Sequence, residues 1–292
     1  NQSKIKQQIS EYHLGYILGP RINAGGRMGE SLLGYSLLSS DNIHQALQLA
    51  QIIESHNQNR QNIQTKIVKS INIKESEDKN INFFFDKKWH IGIVGIIAGR
   101  LMRQNNKPSF VMTSSNEFVV GSGRSLGEKN IGQLMMNAAE KGIIIKGGGH
   151  AKACGFTLRE DQIPDFKAYL YEETKNISIN NEKYFESLID LNVINDNLLK
   201  DLELLSPFGQ KNPEPIFKVE NVKIDILQIF KNKHAKLKIF DDLNYECEGM
   251  FFDIISEDLK FYLGKKSNFD CYFKVKKDSY SNKTVIHLED IH

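Results

Sequence analysis

Cysteine and tryptophan are scarce in this chain. The three cysteines, Cys154, Cys247 and Cys271, stand far apart and form no CxxC pair. Neither a disulfide framework nor a cysteine zinc site fits, and a reducing cytoplasm is the expected setting. The sole tryptophan, Trp89, precedes a helical pattern and reads as a core anchor at a helix start rather than a stacking platform. No stretch approaches the ~18 consecutive apolar residues of a membrane span. The opening segment, NQSKIKQQIS, has neither an initiator methionine nor an apolar signal core, and it reads as a chain that starts inside a longer protein. Charge of one sign is missing too: 38 Lys and Arg against 36 Asp and Glu leave a net +2. That balance neither marks nor excludes a nucleic-acid binder, because what matters is where the cations cluster. Also absent are HExxH, a Walker loop, GxSxG and any tight Asp/His cluster at metal-ligand spacing, so no metal ligands are expected within the chain.

What is present suits a globular chain of about two domains: 292 residues, of which 40% are hydrophobic and 25% charged. Heavy use of Ile, Lys and Asn is a compositional bias that discounts runs of lysine. Residues 1–40 are glycine-rich and read as the closing turns and a loop of a domain. Residues 41–75 carry a long helical pattern, Ile43, Leu47, Ala50, Ile53, Ile63, Ile67 and Ile71, with Asp41 as the expected N-cap. Its middle, SHNQNRQN over Ser55–Asn62, is polar on every side, which predicts a solvated connecting helix between two bodies, ~45 Å long for thirty residues.

Residues 76–176 have α/β character. Strands are expected at Ile81–Phe85, Ser109–Thr113, Glu117–Val120 and near Gly155–Leu158, and helices at His90–Gln104, Ile131–Glu140 and Gln162–Lys175, with a glycine loop at Gly147–His150. Asn176–Asn181 is a candidate linker. From residue 182 to 292 an amphipathic segment precedes five strand-like runs, with a short helix at Ser256–Leu263 between the third and fourth. That is the order of an OB-fold, a partly open barrel that often holds single-stranded nucleic acid. The fold class is thus α/β followed by a β-barrel.

Three segments carry candidate chemistry. GPRINAGGRMG, Gly19–Gly29, offers backbone amides and the forks of Arg21 and Arg27 for a phosphate, or a structural turn with solvated arginines. GSGRS, Gly121–Ser125, following a strand, suits an oxyanion held by hydroxyls and a guanidinium, or a plain hairpin turn. GGGHAKACG, Gly147–Gly155, lets backbone pass close to a ligand and presents His150, although a lone histidine is more often structural. His90 stands where it either meets an anion or caps a helix. In the last segment Phe208, Phe217, Phe230, Tyr245 and Phe251 lie among Lys211, Lys218, Lys231, Lys233, Lys236 and Lys238. Interleaving of this kind fits base stacking with phosphate neutralisation, or simply a β-core with solvated lysines.

In order, GPRINAGGRMG, the polar helix, WHIGIVGIIAGRL, GSGRS, GGGHAKACG and SPFGQKNPEPIF resemble successive motifs of the RecJ family, single-strand-specific exonucleases of the DHH phosphoesterase superfamily. The resemblance runs over essentially the whole chain, and its specificity lies in the order and spacing of motifs that are individually modest. It implies 5′-to-3′ hydrolysis of single-stranded DNA in recombination and repair, with Mn²⁺ or Mg²⁺ held by a DHH domain whose Asp-His-His ligands precede Asn1. Residues 1–40 match only the end of that domain, so the segment alone is expected to be inactive. Residues 41–75 would connect it to a DHH-associated domain over 76–176.

By resemblance, Arg27, Arg124 and His150 would position phosphate for catalysis. Asn23, Gly26, Ser122, Ser125, Gly148 and Gly149, with Lys211, Lys233 and Lys236 of the OB-fold, would hold the strand in a channel too narrow for duplex. Cys154 would be buried and inert where the family has a small residue. A monomer is expected, partnered by single-stranded DNA with a 5′ end and by a single-strand-binding protein or helicase, with no membrane. The alternatives are a small-molecule or oligonucleotide DHH phosphoesterase, or a non-catalytic nucleic-acid-binding module like the appendage of alanyl-tRNA synthetase.

Overall fold

A computed structural model describes residues 5, 9–71, 80–127, 129–175, 184–252, 254, 256–278 and 281–292, and the chain divides after residue 180 into two units. No described helix is long and apolar enough to cross a membrane. The linker expected at Asn176–Asn181 lies outside the described residues.

The first unit opens with a π-helix, His13–Leu18, and three short helices: α1 (Gly19–Ile22), α2 (Ala24–Arg27) and α3 (Leu33–Leu38). They pack against α4 (Ile43–Ser70), a 28-residue helix. Its cap is Asn42 and not Asp41: the Asn42 side chain accepts from the amides of His44 and Gln45, as the residue just before the first helical turn must. The polar middle of α4 is not solvated all round, since Asn57 is 1% exposed alongside Ile53. Arg21 pairs with Glu54 at 2.6 Å and Glu30 with His56 at 2.9 Å, tying the short helices to this stretch of α4.

A mixed sheet follows, β1 (Asn82–Phe85), β2 (Ser109–Ser115), β3 (Phe118–Arg124), β4 (Lys146–His150) and β5 (Ala153–Leu158), in the order β1-β2-β3-β5-β4. Only β1 and β2 run parallel, joined through α5 (Ile91–Asn105). Side chains alternate across the sheet, which separates two cores. Val111 joins Ile93, Ile97 and Leu101 of α5 and Ile67 of α4 on one face. Phe110, Met112, Phe156 and Leu158 face α6 (Ile131–Glu140) and α7 (Ile163–Thr174) on the other, where Phe156 and Phe166 approach to 4.9 Å between ring centres. Trp89 packs on the α5 core, as its position predicts. Two glycine segments differ from their expected placement: GSGRS is the end of β3 through Arg124 rather than a turn after a strand, and GGGH lies in β4 at the sheet edge rather than in a loop. Cross-strand hydrogen bonding outweighs the low strand preference of glycine where a neighbouring surface leaves no room for side chains.

The second unit carries β6 (Ser187–Leu188), α8 (Asp196–Glu203), β7 (Phe217–Phe230), β8 (His234–Phe240), β9 (Glu246–Phe251), α9 (Ser256–Leu263), β10 (Phe269–Lys277) and β11 (Thr284–Ile291). Strands pair in the order β7-β8-β9-β11-β10, and β10 returns to β7 and closes the barrel. With α9 between the third and fourth strands this is the OB topology predicted from the run order. Leu237, Ile239, Cys271, Phe273 and Ile286 fill the interior.

All three thiols are held up by burial, Cys154 and Cys247 to about 12 and Cys271 higher still. A pKa raised from 9.0 to about 12 lowers the thiolate fraction near neutrality roughly a thousandfold. Iodoacetamide at pH 8 is therefore expected to leave the native protein unmodified by mass and to label all three cysteines in guanidinium. Rapid native labelling of Cys154 would show that its side of the sheet is open.

Candidate functional site

Alternation along β3 sorts the GSGRS residues. Gly121 and Gly123 face the α6–α7 core, where a Cβ would stand 2.3 Å from the Phe156 ring and 2.5 Å from Cys154 Sγ. Ser122 and Arg124 point the other way, under α5. Arg124 Nη1 donates to Ser122 Oγ and to the Gly123 carbonyl, each at 2.7 Å, and Ser122 Oγ donates to the Cys154 carbonyl at 3.1 Å. The guanidinium has room because α5 carries glycine above it: a Cβ on Gly95 would lie 3.1 Å from Arg124 Nη2.

At the start of α5 the approach is closer. A Cβ on Gly92 would stand 1.9 Å from the Arg27 carbonyl oxygen, so only glycine lets α2 end against α5. Arg27 Nη1 reaches the Gly92 carbonyl at 3.5 Å. His90 caps α5, its Nδ1 accepting from the Gly92 amide at 3.1 Å, which settles its role as a cap. The result is a cleft of about 460 Å³ lined by Gly26, Arg27, Gly92, Gly95, Ser122 and Arg124 among others.

Burial lowers the pKa of Arg124; Cys154 offsets part of this, and repulsion from Arg27 lowers it further. An arginine stays protonated through such shifts. Neither Arg27 nor Arg124 has a carboxylate partner among the described residues, so two guanidiniums and a hydroxyl converge on a space with no counter-charge. Such an arrangement has the chemistry to take an oxyanion, and phosphate matches the fork geometry.

The sheet extends the floor of the cleft outward. Ser122 pairs with Gly155 and Gly155 with Gly148, while Arg124 pairs with Ala153 and Ala153 with His150. These rows put Gly148 and His150 on the face of Arg124, two strands away, ~10 Å at the usual spacing. A Cβ at Gly148 would meet nothing within 4 Å, and at Gly155 only a backbone oxygen at 3.9 Å, which leaves an open trough. His150 is exposed, its Nδ1 accepting from the Lys152 amide at 3.3 Å. Besides Gly148 and His150 of the trough, three more expected residues of this unit are not in the cleft lining. Ser125 is 4% exposed and its Oγ accepts from the Gly127 amide. Gly149 adopts φ +150° with Ala153 and Cys154 backbone packed where its side chain would be. Asn23 joins α1 to α2. Arg21 is spent on Glu54. Among the described residues no three His, Cys, Asp or Glu side chains gather to hold a metal.

Gly92 and Gly95 were missed from sequence. Their signal is the spacing of Gly92, Gly95 and Gly99 on one helix face, each costing up to ~1 kcal/mol against alanine in a helix interior.

In the second unit a cavity of about 650 Å³ lies at the barrel end where the β7–β8 loop meets the start of β11. Phe252 stands in it between His234 at 5.5 Å and His287 at 5.0 Å between ring centres; burial, then Lys276, lowers the His287 pKa. Half of the six interleaved lysines, Lys218, Lys236 and Lys238, are not free for phosphate, and Lys223 beside them is paired too. Lys218, Lys223, Lys236 and Lys238 pair with Asp270, Asp242, Glu248 and Glu246 across strands or adjoining turns. Lys211, Lys231 and Lys233 are exposed without a carboxylate partner among the described residues. Phe217 is 7% exposed and belongs to the core, a correction to its place among stacking aromatics, as does Phe251, packed partly buried against the same cluster. Phe230 and Tyr245 are exposed.

The DHHA1 domain family model matches residues 67–176 and the RecJ OB domain model residues 185–290. Among curated proteins, the single-stranded-DNA-specific exonuclease RecJ of Escherichia coli K12 is 30% identical over 235 residues, 72% of this chain and 39% of that protein. The Bacillus subtilis protein of the same name is 29% identical over 254 residues, 83% of this chain and 32% of its own. The chain thus spans about a third to two-fifths of the length of these relatives. RecJ from Thermus thermophilus, solved in complex with Mn²⁺, shares the fold at TM-score 0.82 and 19% identity, covering 97% of this chain and 42% of that one.

The glycines predict opposite outcomes of one small change. Gly92→Ala forces α2 away from α5 and is expected to cost about 1–3 kcal/mol, more than the helix propensity gained. Gly148→Ala, facing open space, is expected to stay within ~0.5 kcal/mol of wild type. Urea midpoints of both variants check this.

Proposed function

We propose, for a chain that belongs to the RecJ family through its DHHA1 and OB domains, that it supplies the DNA-gripping part of a 5′-to-3′ exonuclease for single-stranded DNA in recombination and repair. The observation that carries this is the convergence of Arg27, Arg124 and Ser122 on one cleft without a counter-charge. In this reading Arg124 and Arg27 take the phosphate of the 5′-terminal nucleotide. The glycine trough at Gly155 and Gly148 lets the sugar-phosphate backbone lie directly on the sheet, and His150 at its far end donates to a later oxygen. The OB cavity offers Phe252 and Phe230 for base stacking, with Lys231 and Lys233 beside it to neutralise phosphate. A polymer substrate is favoured over a short oligonucleotide by this second surface.

RecJ of T. thermophilus has been solved with Mn²⁺ and with Mg²⁺. The described residues here do not fit such an ion, so the proposal derives no hydrolytic step from them. In this reading the divalent-metal centre lies in the length of the relatives that this chain does not span, and the chain by itself is expected to bind DNA without cleaving it.

Fluorescence anisotropy with a 5′-phosphorylated oligothymidylate tests the reading. Affinity is expected to fall with salt, and Arg124→Ala to weaken binding about 10- to 100-fold, the worth of a charge-assisted hydrogen-bond pair. Unchanged affinity in that variant would remove Arg124 from the site.

A further inference from the structure

The middle of α4 holds a charge that the fold does not satisfy. Ile53, Asn57, Arg60, Gln64 and Ile67 follow the four-three spacing of one helix face, and Ile53, Asn57 and Ile67 are buried. An arginine between the two apolar ends of a buried stripe runs against the usual pattern. Its Nη2 donates to Asn57 Oδ1 at 2.8 Å and its Nη1 to Gln64 Oε1 at 3.4 Å, both neutral acceptors on its own helix. Arg60 Nε is sealed from solvent with no hydrogen-bond partner. The carboxylates on this side of α4 are engaged elsewhere, Glu54 by Arg21 and Glu30 by His56. Burial lowers the pKa of Arg60, and repulsion from Arg27 and then Arg21 lowers it further.

The packing shows where Arg60 sits. Met28, beside Arg27, rests with Ile63 on the core shared by α4 and α5, and Asn59 Nδ2 approaches the Met28 sulfur at 3.8 Å. The end of α2 is therefore held between the Asn59–Ile63 turn of α4 and the start of α5. The charge of Arg27 acts on Arg60 of α4 and on Arg124 of β3, lowering the pKa of each. Three guanidiniums share this corner with no carboxylate answering Arg27, Arg60 or Arg124 among the described residues. An unpaired, partly buried cation is costly, and an orphaned buried donor calls for an explanation.

We propose that Arg60 is a phosphate-binding residue of the connecting helix, taking a phosphate of the bound strand other than the 5′-terminal one held by Arg27 and Arg124. The assignment rests on reading the cleft as a DNA phosphate site. It gives α4 a part in binding as well as in connection, and it sets a minimum of two phosphates for full affinity. An incoming phosphate replaces the neutral amides of Asn57 and Gln64 as the partner of the fork and discharges the repulsion among the arginines.

The whole chain is titrated with two 5′-phosphorylated ligands, a single thymidine nucleotide and an oligothymidylate of six. Arg60→Ala is expected to leave the mononucleotide unchanged and to weaken the hexamer about tenfold or more. It should also make the slope of log affinity against log salt shallower by ~0.7, one lost single-strand phosphate contact. Thermal midpoint should hold or rise, since an unpaired cation is removed. Arg60→Lys should keep the slope by keeping the charge. A lowered thermal midpoint with hexamer affinity and salt slope unchanged would make Arg60 structural and overturn the proposal, as would equal weakening of both ligands. Arg124→Ala separates the two readings: it weakens both ligands if the cleft holds phosphate. If it weakens neither while Arg60→Ala still weakens the hexamer, the cleft reading fails and Arg60 stands.

Discussion

The cleft depends on one close approach, the Arg27 carbonyl against Gly92 at the first turn of α5. That contact fixes how α2 meets the sheet-covering helix, and so where the Arg27 side chain emerges relative to Arg124. A methyl group there has no space, and backbone does not yield as the end of a flexible side chain does. The same helix three residues on gives Gly95 to Arg124. Two glycines that weaken α5 as a helix thus make it thin enough to lie over charged groups without covering them.

The sheet performs a second sorting. With a period of two, each strand sends alternate residues to opposite faces, and glycine has a different meaning on each. Facing α6 and α7, Gly121, Gly123 and Gly147 are small because Phe156, Cys154, Phe110 and Met135 occupy the space. Facing the α5 side, Gly148 and Gly155 are small with nothing crowding them. Packing accounts for the first set and does not account for the second. The arginines show the same division: Arg21 is satisfied by Glu54, while Arg27, Arg60 and Arg124 have no carboxylate partner among the described residues.

In the barrel the cations are arranged differently. Lysines in the strands stand opposite acidic residues, and such cross-strand pairs steady a sheet by tenths of a kcal/mol each while cancelling the field they would otherwise present. Charge without such a partner among the described residues is left to loop lysines such as Lys231 and Lys233. The aromatic surface comes from Phe252 beyond β9, set edge-on between two histidines of separate strands.

Much of this was legible in the sequence. Run order alone gave the OB topology, Ile131–Glu140 was read as the helix it is, and the glycine-arginine segments marked the cleft. Local chemistry is enough for these, since period, caps and turn residues act within a few positions of themselves. Three things were decided only in the folded molecule. GSGRS and GGGH became strands because their partners pair by hydrogen bonds that glycine's own preference does not announce. Asn57 and Arg60, polar residues in a polar stretch, were buried or half-buried because the short helices before α4 fold back onto that part of it. Lys236 was neutralised because Glu248 lies across a hairpin. A sequence fixes which charges and small residues are available; which of them find partners, and which remain for a ligand, is set by contacts between residues far apart in the chain.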